Sequence, residues 1–383
     1  MQPKYPPKPI HPSLPGHSSA SSRWSKITLG AVASAVLALA VSGCVISQPL
    51  LGTPSQSVAM AALPAASAQS LQTHVKALSQ DFFARSFDQP AQLQRAANYI
   101  FNELQTMGYQ PVRQSYDVEG QAFENIVLRL GPADAGSEGQ QSQQPLLVMG
   151  AHYDSVRSGE LQSAVNDQPA VPTPESHTPG ADDNASGVAG LLELARLLKG
   201  QTLAQPLELV FYTLEEPPNF RTEFMGSYQH AKSLKDSGRA VRLMLSVEMI
   251  GYFSDAPGSQ HYPLAPLSWL YPDTGNFLAL IGELQNFAAM RRTKGVMQSV
   301  AAGAGQTRLA LHSLNSPRWV HGVDFSDHLN YWNFDYPAIM VTDTSFMRNA
   351  NYHQSTDTWD TLNYERMAQV VQMLAAVALD TGS

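Results

Sequence analysis

Two histidines and six carboxylates in this chain stand at positions where they could do chemistry together. His152 and Asp154 are two residues apart, at the end of an apolar run. Asp182 and Asp183 sit in the run Gly180-Ala181-Asp182-Asp183-Asn184-Ala185-Ser186-Gly187. Glu215-Glu216 directly follow the apolar stretch Leu207 to Leu214, Glu248 ends Leu243 to Val247, and His353 follows Tyr352. Several carboxylates gathered in one place repel strongly. No Lys or Arg recurs among these motifs, so a divalent metal pair is the economical counter-charge. Imidazole and carboxylate donors without a thiolate suit Zn²⁺, with Mn²⁺ or Co²⁺ as alternatives. A bridging carboxylate fits a two-metal hydrolase, in which a further carboxylate moves the proton. Glu215-Glu216 offers one base and one ligand. Asp154 is placed to accept the second ring N–H of His152.

The elements that must position these groups read as an α/β fold. Leu146 to Met149, Leu207 to Leu214, Leu243 to Val247 and Ala338 to Thr342 are short, nearly continuous apolar runs. That is the pattern of parallel strands covered on both faces. Phe123 to Leu130 adds a further strand. Helices are expected at about 89–107, with Pro90 in the first turn and Gly108 as stop, at Val188 to Lys199 and at about Tyr364 to Leu379. Strand–helix alternation predicts a three-layer sandwich with a mostly parallel mixed sheet. In open α/β sheets, functional groups collect beyond the carboxyl ends of the strands. The Pro-rich loop Arg157 to Thr178 and the stretch Ser254 to Gly275 are expected near the site.

His152-Tyr153-Asp154, the Gly-Ala-Asp-Asp-Asn-Ala-Ser-Gly run, Glu215-Glu216, Val247-Glu248-Met249-Ile250-Gly251 and Tyr352-His353 resemble, in this order, the M28 family of zinc peptidases. The resemblance spans roughly Leu71 to the C-terminus. It implies a zinc exopeptidase-like fold and a zinc metallo-aminopeptidase, with two Zn²⁺ per chain. Asp182 would bridge the metals, with a cis peptide to Asp183. His152 and Glu248 would hold one zinc, Glu216 and His353 the other, and Glu215 would be the general base. Glu248 stands where many members have Asp. Glutaminyl cyclase-type activity with one zinc, and carboxypeptidase or dipeptidase specificity, are rival chemistries on the same scaffold. A non-catalytic binding protein is a further rival, weakened by a complete ligand set and base.

Each group also has a bland reading. A single His at a strand end is usually structural, Asp182 alone could cap the following helix, and Glu215-Glu216 alone could be a solvated pair. The set together favours ligands. Asp327-His328 and Arg348 are expected to be structural, with a contact to substrate as the sharper alternative. Tyr252, Phe253, Trp319, Tyr331 and Trp332 are expected mostly in the core, and His11, His17, His74 and His261 at the surface.

Charge adds an address. The chain of 383 residues has 24 basic and 32 acidic groups, a net charge of −8. Residues 1–80 hold Lys4, Lys8, Arg23, Lys26 and Lys76 and no acidic residue. The acidic remainder argues against nucleic acid as a partner, and one cysteine excludes a disulfide framework. Arg23 and Lys26 precede the apolar run Ile27 to Val41, which ends in Val41-Ser42-Gly43-Cys44. This resembles a bacterial lipobox, which implies a signal peptide over 1–43 and membrane attachment through a lipidated Cys44. An uncleaved anchor over Ile27 to Ile46, or cleavage near Ala66-Ser67-Ala68, are the alternatives. All three expect an exported body, at the periplasmic or extracellular side, acting on peptides. Residues 44–70 read as a tether and 71–383 as the peptidase domain.

Overall fold

The computed structural model describes Ser47 and residues 63–132, 144–157, 177–300 and 307–380, all within one compact unit, Val45–Ser383. The leader, Cys44 and most of the loop Arg157 to Thr178 lie outside the described residues. An eight-stranded sheet runs in the order β1-β2-β4-β3-β5-β8-β6-β7. Its strands are β1 Val112–Val118, β2 Gln121–Leu130, β3 Leu146–His152, β4 Leu207–Tyr212, β5 Val241–Glu248, β6 Phe277–Glu283, β7 Ala310–Ser316 and β8 Ala338–Thr342. The central four, β4, β3, β5 and β8, are parallel. β2 joins β4 antiparallel, β6 joins β8 antiparallel, and β7 lies parallel to β6 at the edge. The sheet is mixed, as the apolar runs predict.

Side chains alternate faces along a strand, and this splits the core in two. Leu147, Met149 and Ala151 of β3 join Leu207, Leu209 and Phe211 of β4 in the larger cluster. Helices α1 Ala68–Lys76, α2 Pro90–Thr106, α3 Gly187–Leu198, α5 Phe287–Ser299 and α7 Tyr364–Leu379 contribute to it through Leu71, Leu93, Leu191, Met290 and Val370. Leu146, Val148 and Val210 face the other way, onto Ala231 of α4 Gly226–Asp236 and Tyr331 and Trp332 of α6 His328–Asn333. Helices thus cover both faces.

The tether boundary differs from the sequence expectation. α1 begins at Ala68, because Ser67 Oγ accepts the Ser70 N–H at 3.1 Å and caps it. Leu71, Val75 and Leu78 are then buried, and Leu63 and Ala66 pack on the same core. β1, β6, β7, α1, α4, α5 and α6 are additional to the elements read from the sequence.

Candidate metal centre

Every motif residue lies at the carboxyl end of a parallel strand or in the loop beyond it. His152 is the last residue of β3 and Glu248 the last of β5. Glu215 and Glu216 follow β4 by three and four residues. The backbone turns sharply at these points. Leu214, Met249 and His353 have φ of 58°, 48° and 56°, left-handed values that cost a residue with a β-carbon and cluster at functional sites.

The turns converge the side chains. His152 Nε2 lies 3.3 Å from Asp183 Oδ1, 3.4 Å from Glu248 Oε2 and 4.0 Å from Glu215 Oε2. His353 Nε2 lies 3.0 Å from Asp183 Oδ2 and 3.4 Å from Glu216 Oε2. Two donor triads result, His152–Asp183–Glu248 and Asp183–Glu216–His353, with Asp183 in both; His152–Glu215–Glu216 forms a third. The donors fit a divalent cation. They are imidazoles and carboxylates alone, and the buried Glu216 Oε1 has no hydrogen-bond partner.

Asp182 does not occupy the place expected of it. The bridging position falls to Asp183, and the cis peptide is Asp183–Asn184, one residue later than expected. Adjacent side chains here point to different sides of the turn. Asp182 Oδ1 accepts the Gly251 N–H at 2.9 Å and Oδ2 accepts Asn349 Nδ2 at 2.8 Å. Its carboxyl is a brace between three loops. Gly180, at φ 57°, admits the turn; a β-carbon there would meet Asp183 O at 2.3 Å.

Three supports surround the triads. Asp154 accepts the Glu215 and Glu216 N–H groups at 3.2 and 3.0 Å, and its Oδ1 lies 3.4 Å from His152 Nδ1. Asp357 accepts the Asp182 and Asp183 N–H groups at 3.0 and 3.1 Å. Arg85 is fully buried and donates to the carbonyls of Leu78, Tyr153, Pro179 and Gly180 at 2.6–3.0 Å. Asp357 and Arg85 were invisible in the sequence because neither belongs to a motif. Arg85 also supplies a positive charge where the motifs alone showed none.

Burial dominates the electrostatics. It pushes Glu215, Glu216 and Glu248 above the usual carboxylate range; the His152 charge opposes this for all three, while neighbouring carboxylates reinforce it. Asp183 goes the other way. Burial would raise it too, but hydrogen bonds and charge from His152 and His353 outweigh that. His152 is raised because Glu248 and Glu215 overcome the lowering effect of burial.

Other sequence candidates take structural places. Arg348 is buried, with Nε on Gln260 Oε1 at 2.9 Å and the guanidinium 4.7 Å from the Phe277 ring centre. Asp327 is fully buried near the centre, and burial pushes it up to about 7. His328 Nε2 donates to Val323 O of its local turn at 2.8 Å. His74, expected at the surface, is buried with Nδ1 2.6 Å from Tyr99 Oη. Tyr331 and Trp332 are core residues and Trp319 is exposed.

Beside the triads opens a cleft, with Asp183, Glu215, Glu216, Glu248 and His353 at one end. Leu267, Tyr271, Phe277, Ile281, Met340 and Phe346 line its apolar remainder.

Comparison with known proteins gives the family and the fold. Residues 125–378 match Peptidase family M28. YfbL of Escherichia coli is 47% identical over 306 residues, covering 80% of this chain and 86% of that one. Leucine aminopeptidase 1 of Ajellomyces dermatitidis is 26% identical over 241 residues, or 61% of this chain; the match spans only 52% of that protein. Among solved structures, a glutaminyl cyclase of Bacteroides thetaiotaomicron superposes with a TM-score of 0.58 at 18% identity, covering 83% of this chain and 99% of that one. At that identity the likeness is one of fold.

Proposed function

Because this chain belongs to peptidase family M28, we propose that it is an exported zinc aminopeptidase. The observation that carries this is the Asp183 carboxylate, one oxygen toward His152 and the other toward His353. A carboxylate so shared would suit a pair of divalent metal ions. His152 and Glu248 would complete one ion, Glu216 and His353 the other. Bound there, such a pair lowers the pKa of a shared water and polarises a carbonyl.

The chain's own residues supply the rest. Glu215 Oε2, 4.0 Å from His152 Nε2 and among the donors without being shared by both triads, takes the water's proton and returns it to the departing amine. Asp154 fixes the His152 ring and the Glu215-Glu216 backbone in one geometry. The apolar cleft takes the side chain of the N-terminal residue and excludes water around it. Bulky apolar N-terminal residues are the expected preference. We further propose that the leader exports the chain and that it stays on a membrane through Cys44 or the apolar run.

The test is a panel of aminoacyl-anilides and peptides, with and without a chelator. Chelator-sensitive release of apolar N-terminal residues, with N-acetylated peptides uncut, supports the reading. Pyroglutamate formation from N-terminal Gln without hydrolysis, at one tightly bound zinc, would replace it by the cyclase reading. Cleavage of acetylated peptides would indicate carboxypeptidase-type specificity.

A further inference from the structure

The loop between β5 and β6 carries an exposed apolar tip. From Pro263 to Pro272 no residue is charged. Trp269 is 83% exposed, Leu270 52% and Leu264 41%. A tryptophan so exposed, flanked by leucines, is costly in water. The base of the tip is firm. The Tyr262 and Tyr271 rings stack at 5.9 Å, and Leu267 is buried between them in sequence and lines the cleft. Tyr271 Oη donates to Ser313 O of β7 at 2.7 Å.

The same residue of β7 also holds Ser47. Ser47 O accepts Ser313 Oγ at 2.8 Å and Lys294 Nζ at 2.9 Å. Ser47 comes directly after the apolar run ending at Ile46, and three residues after Cys44. Three residues of chain reach at most about 11 Å. Ser47, at most three residues past the proposed attachment, is thus held by Ser313, and Trp269 stands two residues from the tyrosine bound to the same Ser313. α5, which supplies Lys294, also carries the exposed Arg291, a charge of the sign that suits an anionic lipid surface; its Arg292 is paired with Asp380.

We propose that the tip Leu264–Leu270 beds in the lipid–water interface of the membrane that anchors the chain. Tryptophan favours that zone, where its ring is apolar and its N–H finds water or headgroups. The inference rests on the membrane-anchored reading given above. Its consequence is orientation: the rim of the cleft formed by Leu267 and Tyr271 faces the bilayer, so N termini emerging from or lying on the membrane reach the metal centre first.

The experiment uses the full chain in phosphatidylcholine–phosphatidylglycerol vesicles with brominated acyl chains. Flotation reports the anchor, and bromine quenching of tryptophan emission reports the tip. Wild type, W269F and W319F are compared, with thermal midpoints as a folding control. The expected result is flotation of all three, with more than half of the quenching lost in W269F and little in W319F. Flotation with quenching unchanged in W269F overturns the tip contact and leaves the anchor standing. Failure to float overturns the anchor and the tip contact with it. Cross-linking of two copies through position 269, with no quenching by lipid, assigns the tip to a second copy and overturns the proposal.

Discussion

His152 and His353, one at the end of β3 and the other in the loop beyond β8, direct Nε2 at different oxygens of a single carboxylate, at 3.3 and 3.0 Å. That carboxylate is Asp183. The neighbouring Asp182 is spent on Gly251 N–H and Asn349. The two acids can therefore be told apart by metal content.

Asp183→Asn is expected to leave the chain with at most one metal ion. Asp182→Asn keeps a similar shape and still accepts hydrogen bonds, so it should lower metal affinity by no more than about 10–100-fold. Elemental analysis of the two variants after dialysis measures both. Loss of both ions from Asp182→Asn, with Asp183→Asn intact, would return the bridging role to Asp182.

Glu215→Gln removes a proton acceptor while leaving both metal triads that share Asp183. Metal content should stay near wild type, while kcat falls by about 10²–10⁴. Turnover near wild type would remove Glu215 as the base.

Arg85 is the tie most expensive to cut. Its guanidinium serves four carbonyls from residues 78, 153, 179 and 180. Arg85→Met should cost about 3 kcal/mol or more of unfolding free energy, since each buried acceptor left without its donor costs about 1–3 kcal/mol. Arg85→Lys keeps charge without the planar fork and should recover only part of it. Urea unfolding of the two variants measures the difference.

Asp327 makes stability depend on pH. Burial comes first in holding its carboxyl at about 7, with Glu248 and Asp154 reinforcing and His152 opposing. A carboxyl raised in the fold binds its proton more tightly there than in the unfolded chain. Its contribution to stability is therefore full at low pH and falls as pH rises from about 4 through 7. Between pH 5 and pH 8 the thermal midpoint of wild type should drop more than that of Asp327→Asn, which cannot ionise. Equal slopes for the two would show that Asp327 does not carry this dependence.

Much of this was legible in the sequence, for a physical reason. Buried parallel strands must be apolar throughout, so β3, β4, β5 and β8 announced themselves, and the polar residues beyond their ends stood out. β1 (VRQSYDV) and β7 (ALHSLNS) lie at the edges of the sheet and carry polar side chains, so no apolar run marked them. The choice between Asp182 and Asp183 was not legible, because it depends on a turn pinned from far away by Asp357. Arg85 was not legible either: an isolated arginine shows its partners only when the chain has folded around it.

Arg85 also bears on how the site can be inherited or transplanted. The stretch that matches the family begins at residue 125, yet three hydrogen bonds to the loops behind His152 and Asp183 come from residue 85. A chimera joined at residue 125 would import every donor of the metal centre without the cation that pins two of its loops. The smallest portable piece of this active site starts upstream of Arg85.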